Sequence, residues 1–487
     1  MHESVSRCVL LLTLFMFLLN LATNVIPITD LDRKAAQSTT VVSEPEKQGT
    51  ILAGTPHGPI AILGDDNFSD TALLEGWPGD GTPENPFIID GLDVDLGGEV
   101  GHCISISNTR VSFTIRNCNL TGAHRLGLWA RAGIYLENVT NGELVNNTCL
   151  SNDFGIRLYE SYSNAVANNT CNDNGRGISL QKSDSNTVVD STCNNNNYGI
   201  DLWHSNSVSV ANNTCLSNDF GIHIFNSDSN SVSNSICRNN VFGISLYESN
   251  SNTVGNNTCN SNTESGILLS VSFENTVVNH TCTSNGESGI YIQNSDSNSV
   301  SNNICENNAN GIYLFESDSN AVANNICSNC GEGVWLDNSD SNTLSNNTCN
   351  SNDHGVLLIS SDSNIVANNI CNKNRIGICL YGSDSNTVAN NICLDNTEHG
   401  IDLQWSDDNT VVDNIIGMSE IDPMVLLLIG LIGITLLGAG WWKGYARGGE
   451  DDIIIPIRHR LVSWFRKRRT LKHADVDEPL EPDSSER

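Results

Sequence analysis

Along most of the chain, apolar residues recur in short alternating runs separated by longer polar stretches. Residues 311–327, GIYLFESDSNAVANNIC, show the pattern. Ile312 and Leu314 alternate, SDSN intervenes, Val322 stands alone, and a pair of asparagines leads to Cys327. Alternation with a period of two is strand spacing, with Ile and Leu on the inward side. The Asn, Ser, Asp and Gly between the runs suit tight corners, and Asn tolerates the left-handed backbone that corners require. Three short strands and their corners within 22 residues predict one coil of a parallel β-helix. Helical repeats of similar length would need longer stretches free of Asn and Gly.

The repeat is strict. Cysteines at positions 118, 149, 171, 193, 215, 237, 259, 282, 305, 327, 349, 371 and 393 lie 22 or 23 residues apart, except for one gap of 31 around HRLGLWARA (124–132). A period in this range marks a solenoid. Aligned on glycine, the unit reads G-I-x-L-x-x-S-D-S-N-x-V-x-N-N-x-C-x-x-N-x-x. It starts thirteen times between Gly133 and Gly400, with an irregular unit before it from Gly101. The expected fold is all-β, a parallel β-helix solenoid of about 13–14 coils, roughly 60 Å long at ~4.8 Å per coil. Stacking puts Asn164, Asn186, Asn230, Asn298, Asn320, Asn342, Asn364 and Asn386 at one corner, where amides can form a ladder.

The cysteine of each unit lies five residues after the inward Val, so it should face the core. Three readings of the column stay open: a ladder of small buried apolar groups, disulfides between coils, or thiolate ligands for copper or zinc. Cys103, Cys330 and Cys379 are out of register and are candidates for isolated chemistry.

The formal charge is −32, but residues 443–487 hold 10 basic and 9 acidic residues, so the remainder carries −33. Such a surface excludes nucleic acid as a partner of the large part. Two apolar segments frame it. Residues 8–22, CVLLLTLFMFLLNLA, follow Arg7 and fit a secretory signal segment, assigned to 1–28. Residues 424–442 carry no charge over 19 residues, enough for a transmembrane helix. Seven basic residues and no acid in 453–474 then place a basic cytoplasmic tail (443–487) inside and the repeats outside. Between them are expected a flexible linker (29–56), an N-terminal cap (57–100) and the repeats (101–417). The expected location is the cell membrane, single-pass, with a large extracellular domain.

Candidate chemistry sits on the outward positions of the G-I-x-L-x-x strand. Tyr159, Trp203, Phe225 and Tyr247 interleave there with Glu160, Asp201, His204, His223 and Glu248. Aromatic surfaces beside carboxylates suit sugar rings, which offer C–H faces and hydroxyls. Asp201 should stack directly on His223, and Glu316 and Asp337 fall on adjacent coils, a spacing that paired carboxylates of glycoside hydrolysis use. The Asp of SDSN also repeats; weak Ca²⁺ binding or simple turn capping would both use it. No other cofactor is expected. Sequons at Asn67, Asn119, Asn138, Asn146, Asn168, Asn212, Asn256, Asn279 and Asn346 are candidate N-glycosylation sites outside the cell.

The unit at 311–327 resembles the right-handed parallel β-helix repeats of the NosD-like and carbohydrate-binding and sugar-hydrolysis group. The segment DDNFSDTALLEGWPGDGTPENPFIIDGLDVD (65–95) is similar to the opening of archaeal cell-surface members. The resemblance covers residues 57–417 and implies a right-handed β-helix. That scaffold is shared by polysaccharide lyases, hydrolases, copper-site maturation proteins and non-enzymatic surface proteins. The expected function is a membrane-anchored extracellular β-helix that binds glycans or other surface components without catalysis. A polysaccharide lyase or hydrolase, and a copper-handling accessory, are the alternatives.

Overall fold

Every repeat unit closes into one coil that hydrogen-bonds in parallel, residue on equivalent residue, to the coils on either side. The computed structural model describes residues 54–124 and 131–418. Two fifteen-stranded parallel sheets run along it, so the solenoid has fifteen coils. The first face begins at Ile60–Leu63 and ends at His399–Gln404; the second begins at Phe87–Asp90 and ends at Thr410–Val412. The third face, which carries the cysteines, runs in shorter pieces joined by single bridges such as Thr170↔Thr192 and Thr192↔Thr214. Coils are numbered here from 1, so that Phe154–Tyr159 is the first-face strand of coil 4 and Tyr198–Trp203 that of coil 6.

The coil beyond the expected fourteen comes from the segment expected as a cap. Residues 57–100 supply strands Ile60–Leu63, Phe87–Asp90 and Leu92–Asp95, which pair in register with coil 2. Thr55 and Pro56, expected in the linker, already pair with Leu92 and Asp93. The segment's other element is a helix, α1, over Asp65–Glu75. Its two first-turn aspartates complement the helix dipole, and Gly76 ends it in the left-handed conformation. Phe68 from α1 is fully buried against Phe87 and Phe113, at ring distances of 5.1 and 5.3 Å, and closes the core at this end. The signal segment, the 424–442 span and the basic tail lie outside the described residues. No described helix is long and apolar enough to cross a membrane.

The core follows the expected columns. Ile312 and Leu314 from the first face, Val322 from the second and Cys327 from the third are all fully buried. The glycine that opens each unit has a packing cause: a Cβ on Gly199 would lie 2.5 Å from the carbonyl oxygen of Gly221. All sixteen described cysteines are free thiols and buried, so no disulfide joins the coils. Burial pushes the thiols of Cys171 and Cys259 well up. The three out-of-register cysteines are no exception. Burial raises Cys103 to about 12 and Cys330 and Cys379 to about 11, so they are inert thiols at neutral pH. Cys330 simply takes a corner position that asparagine holds in the neighbouring coils, donating its backbone N–H to Asn352.

Buried polar ladders tie the corners. In the SDSN corner the backbone N–H of Asn320 donates to Oδ1 of Asn342 at 2.7 Å, while Asn320 Nδ2 donates to the Ser295 carbonyl at 3.0 Å. A serine ladder runs beside it, with Ser317 N–H on Ser339 Oγ at 3.0 Å. Two further asparagine columns hold the other corners, through Asn325 and Asn352. The exposed Asp of SDSN accepts a peptide N–H from the next coil, as Asp318 does from Asp340 at 2.7 Å. One carboxylate oxygen of each is thereby committed to the backbone, which is the turn-capping role.

His280 replaces asparagine in one of these columns. Its Nδ1 accepts the backbone N–H of Asn257 at 3.0 Å and its Nε2 donates to the Val254 carbonyl at 2.9 Å. Only the neutral ring can do both, and burial lowers its pKa from 6.5. The unfolded chain therefore takes up a proton more readily, and stability falls as pH drops below about 6.5. His280→Asn should remove part of that loss. Thermal midpoints at pH 7.5 and 5 should differ less in the variant; an equal pH dependence would refute the assignment.

Candidate functional site

The outer surface of the first face carries three columns of side chains, because each first-face strand has three outward positions: before the glycine, between Ile and Leu, and after Leu. In coils 6 to 8 two of them are aromatic. Tyr198, Phe220 and Phe242, before the glycines, stack at 5.1 and 5.4 Å. Trp203, Phe225 and Tyr247, after the leucine position, stand 5.5 Å apart, the first pair edge-on and the second parallel. Trp203, Phe225 and Tyr247 thus line up at the coil spacing. Stacking covers ring faces, however, so the column does not offer three free faces to sugar rings. Towards coil 9, Tyr247 has Ser270 as its register partner, which brings no ring against it.

Between the columns lies an ion cluster. Asp201 pairs in register with His223, and its Oδ1 is 3.0 Å from His223 Nδ1. Arg176 Nε lies 2.9 Å from Oδ2 as an ion pair, off the N–H axis, and Ser179 Oγ donates to the same oxygen at 3.4 Å. Asp201 is 2% exposed. Burial would raise its pKa, but the Arg176 charge and the hydrogen bonds from His223 and Ser179 outweigh it and hold the carboxyl below its ordinary value. Facing an ionised carboxylate, His223 Nδ1 carries the proton, which leaves Nε2 as the ring nitrogen free for a ligand. The ring is held between Tyr198 and Phe220, at 5.2 and 5.0 Å. Such an oriented imidazole can hydrogen-bond a hydroxyl or accept a proton from one.

The structure brings together Asp201, Trp203, His204, His223, Phe225 and Tyr247. His204 sits at the corner beyond Trp203, in the left-handed conformation, with its ring 6.0 Å from Phe225. Glu248 holds the equivalent corner beside Tyr247, whose hydroxyl is pushed up first by burial and then by the Glu248 charge. Tyr159 and Glu160 stand apart: Gln181 separates Tyr159 from Trp203 in the column, and Glu160 pairs with Lys182 at 3.2 Å. Asp337 accepts a hydrogen bond from Tyr313 at 3.3 Å, and burial raises its pKa. Sequence reasoning missed Arg176, Tyr198, Phe220 and Phe242. Six sequon asparagines (146, 168, 212, 256, 279 and 346) form one exposed column of left-handed corners.

A second cluster lies in coils 12 to 14, where Glu332, Asp353 and His354 converge. Arg375 fills it, at 2.7 Å from Asp353, 2.8 Å from Glu398 and 2.8 Å from His354 Nε2. A guanidinium already supplies the positive charge there.

These features define a parallel β-solenoid with a polar, aromatic outer face. The chain belongs to the NosD family: the family model described as periplasmic copper-binding protein (NosD) matches residues 97–225, 177–331 and 317–427, more than half of the sequence. No curated protein matches the chain. Among solved structures, a mutant of the periplasmic alginate epimerase AlgG is similar at 12% identity, covering 74% of this chain and 86% of that one, with a TM-score of 0.42. The A-module of the Azotobacter vinelandii mannuronan C-5 epimerase AlgE4 gives 12% identity, coverage of 73% and 92%, and a TM-score of 0.36. The siphovirus 9NA tailspike receptor binding domain gives 10%, 80% and 77%, and 0.32. These are distant structures, and the fold assignment rests on the strand register described above.

The family description raises copper, and the described residues do not fit it. Copper favours clustered thiolate, thioether or imidazole donors. The cysteines are sealed in the core, Met418 is the sole described methionine, and the convergent cluster has one imidazole, two carboxylates and a guanidinium against it.

Proposed function

We propose that the first face of coils 6 to 8 binds an extended glycan. The carrying observation is the pair of aromatic columns flanking Asp201 and His223, a strip that is apolar at its margins and hydrogen-bonding along its middle. Sugar hydroxyls would meet His223 Nε2, the ring nitrogen turned away from Asp201. A sugar C–H face would lie on the side of Tyr247 towards coil 9. On this reading the protein is a surface-anchored binding rod, with the membrane attachment expected from residues 424–442.

The Asp201–His223 pair favours a second reading, in which the same strip is a lyase or hydrolase site with His223 as general base. One set of variants tests both. Tyr247→Ala should weaken glycan binding by about 1–3 kcal/mol, as loss of an aromatic anchor does, without melting the solenoid. Asp201→Asn should leave a binder with most of its affinity, whereas an enzyme should bind and stop turning over. A glycan array followed by product analysis reads both effects. Unchanged affinity in a Trp203→Ala, Tyr247→Ala double variant would remove the strip from consideration.

A further inference from the structure

Basic residues are scarce on this acidic chain, and their placement is uneven. Of nine Lys and Arg among the described residues, Arg131, Arg157, Arg176 and Lys182 fall on or beside the first-face strands of coils 3 to 5. Arg176 is matched by Asp201 and Lys182 by Glu160. Arg157 makes no ion pair among the described residues. It donates to the neutral Gln181 at 2.9 Å, and its guanidinium packs 4.8 Å from the Phe154 ring, 5.7 Å from Tyr135 and 5.8 Å from Tyr159. The Nε atoms of Arg157 and Arg131 are both buried without an acceptor. Their joint field is felt nearby: burial first, and then Arg131 and Arg157, lower His102 to about 4.

A half-buried cation held among rings is stabilised by the ring quadrupoles, but its charge, without an ion-pair partner among the described residues, still calls for an anion at the outer end of the guanidinium. We infer that Arg157, with Arg131, is the anchor for an anionic group, so that the glycan of the proposed strip is an acidic polysaccharide bearing carboxylates or sulfates. The inference rests on the glycan reading and extends it by two to three coils. The guanidinium fork matches either anion in a bidentate manner.

The test is affinity electrophoresis of the full chain in gels containing polygalacturonate, dextran sulfate, neutral hydroxyethylcellulose or single-stranded DNA. Polygalacturonate or dextran sulfate should retard the protein, and which of them does so tells carboxylate from sulfate. Arg157→Gln should weaken that retardation at least tenfold, and raising the salt should weaken it in the parent chain. Arg131→Gln, outside the strand at its N-terminal side, serves if the Arg157 variant loses its β-sheet circular dichroism. Unchanged retardation in the variants overturns the inference, as does retardation by DNA alone. Retardation by the neutral polymer alone, abolished by Trp203→Ala, would leave the glycan strip standing and remove the anion site. If nothing retards the protein, both readings fall.

Discussion

Cys237→Asp should break the solenoid around coil 7, whereas Cys237→Val should leave it standing. Cys237 is fully buried and lies in register with Cys215, at the centre of a column with no polar side chain to receive a carboxyl. Ionised, the Asp would be an unpaired charge in a dry core. Neutralised, it would still bury a carboxyl without partners, at a cost of about 2–7 kcal/mol. That is comparable with the whole stability of an ordinary domain. Valine is similar in size and apolar, so its effect should stay within about 1.5 kcal/mol. Urea unfolding followed by circular dichroism compares the two. Equal stability, or elemental analysis finding several copper or zinc ions per chain, would show that the column is not a sealed apolar core.

Asn325→Leu should be nearly as damaging, although it makes the core more apolar. Asn325 Oδ1 accepts both the backbone N–H and the side-chain amide of Asn303, at 2.9 and 3.0 Å, and its Nδ2 donates to the Val300 carbonyl and to Asn347 Oδ1, both at 3.0 Å. Leucine removes all four bonds, which orphans the buried Asn303 backbone N–H and takes a partner from the Val300 carbonyl, Asn303 Nδ2 and Asn347 Oδ1. At about 1–3 kcal/mol per orphaned group, the loss should reach about 3–6 kcal/mol. Exposed Asn324 next to it, at a left-handed corner, is the control, since Asn324→Gly should cost little. A thermal midpoint for Asn325→Leu within a degree of the parent would mean the ladder contributes nothing net.

The coil was legible because its code is local and repeated: Ile312, Leu314, Val322 and Cys327 each recur at one spacing, and stacking turns that spacing into a core. Coil 1 was not legible as a coil because α1 and its flanking turns interrupt it between Ile60–Leu63 and Phe87–Asp90, and no glycine-led unit announces it. The pairing of Asp201 with His223 could be read from the 22-residue step. Tyr198, Phe220 and Phe242 could have been found the same way, as YGI, FGI and FGI, but they stand before the glycine that set the alignment. Arg176 stands there too, yet its contact with Asp201 crosses from one outward column to another. A repeat unit written as a line hides such diagonal neighbours.

The identical pairing of each coil with the next has a consequence for how the molecule can change over time. Its free energy is close to a sum over coils and over the joints between them, as in other quasi-one-dimensional proteins. A duplicated or deleted stretch of 22 residues therefore inserts or removes one storey and rejoins every sheet, ladder and core column. Steps of 23 residues keep the same register, as Ile244 on Ile267 shows, so the phase of the three faces is what a change of length must preserve. Evolution can lengthen or shorten the paired body in whole storeys, while single coils take up extra residues at a corner, as coil 1 does with α1.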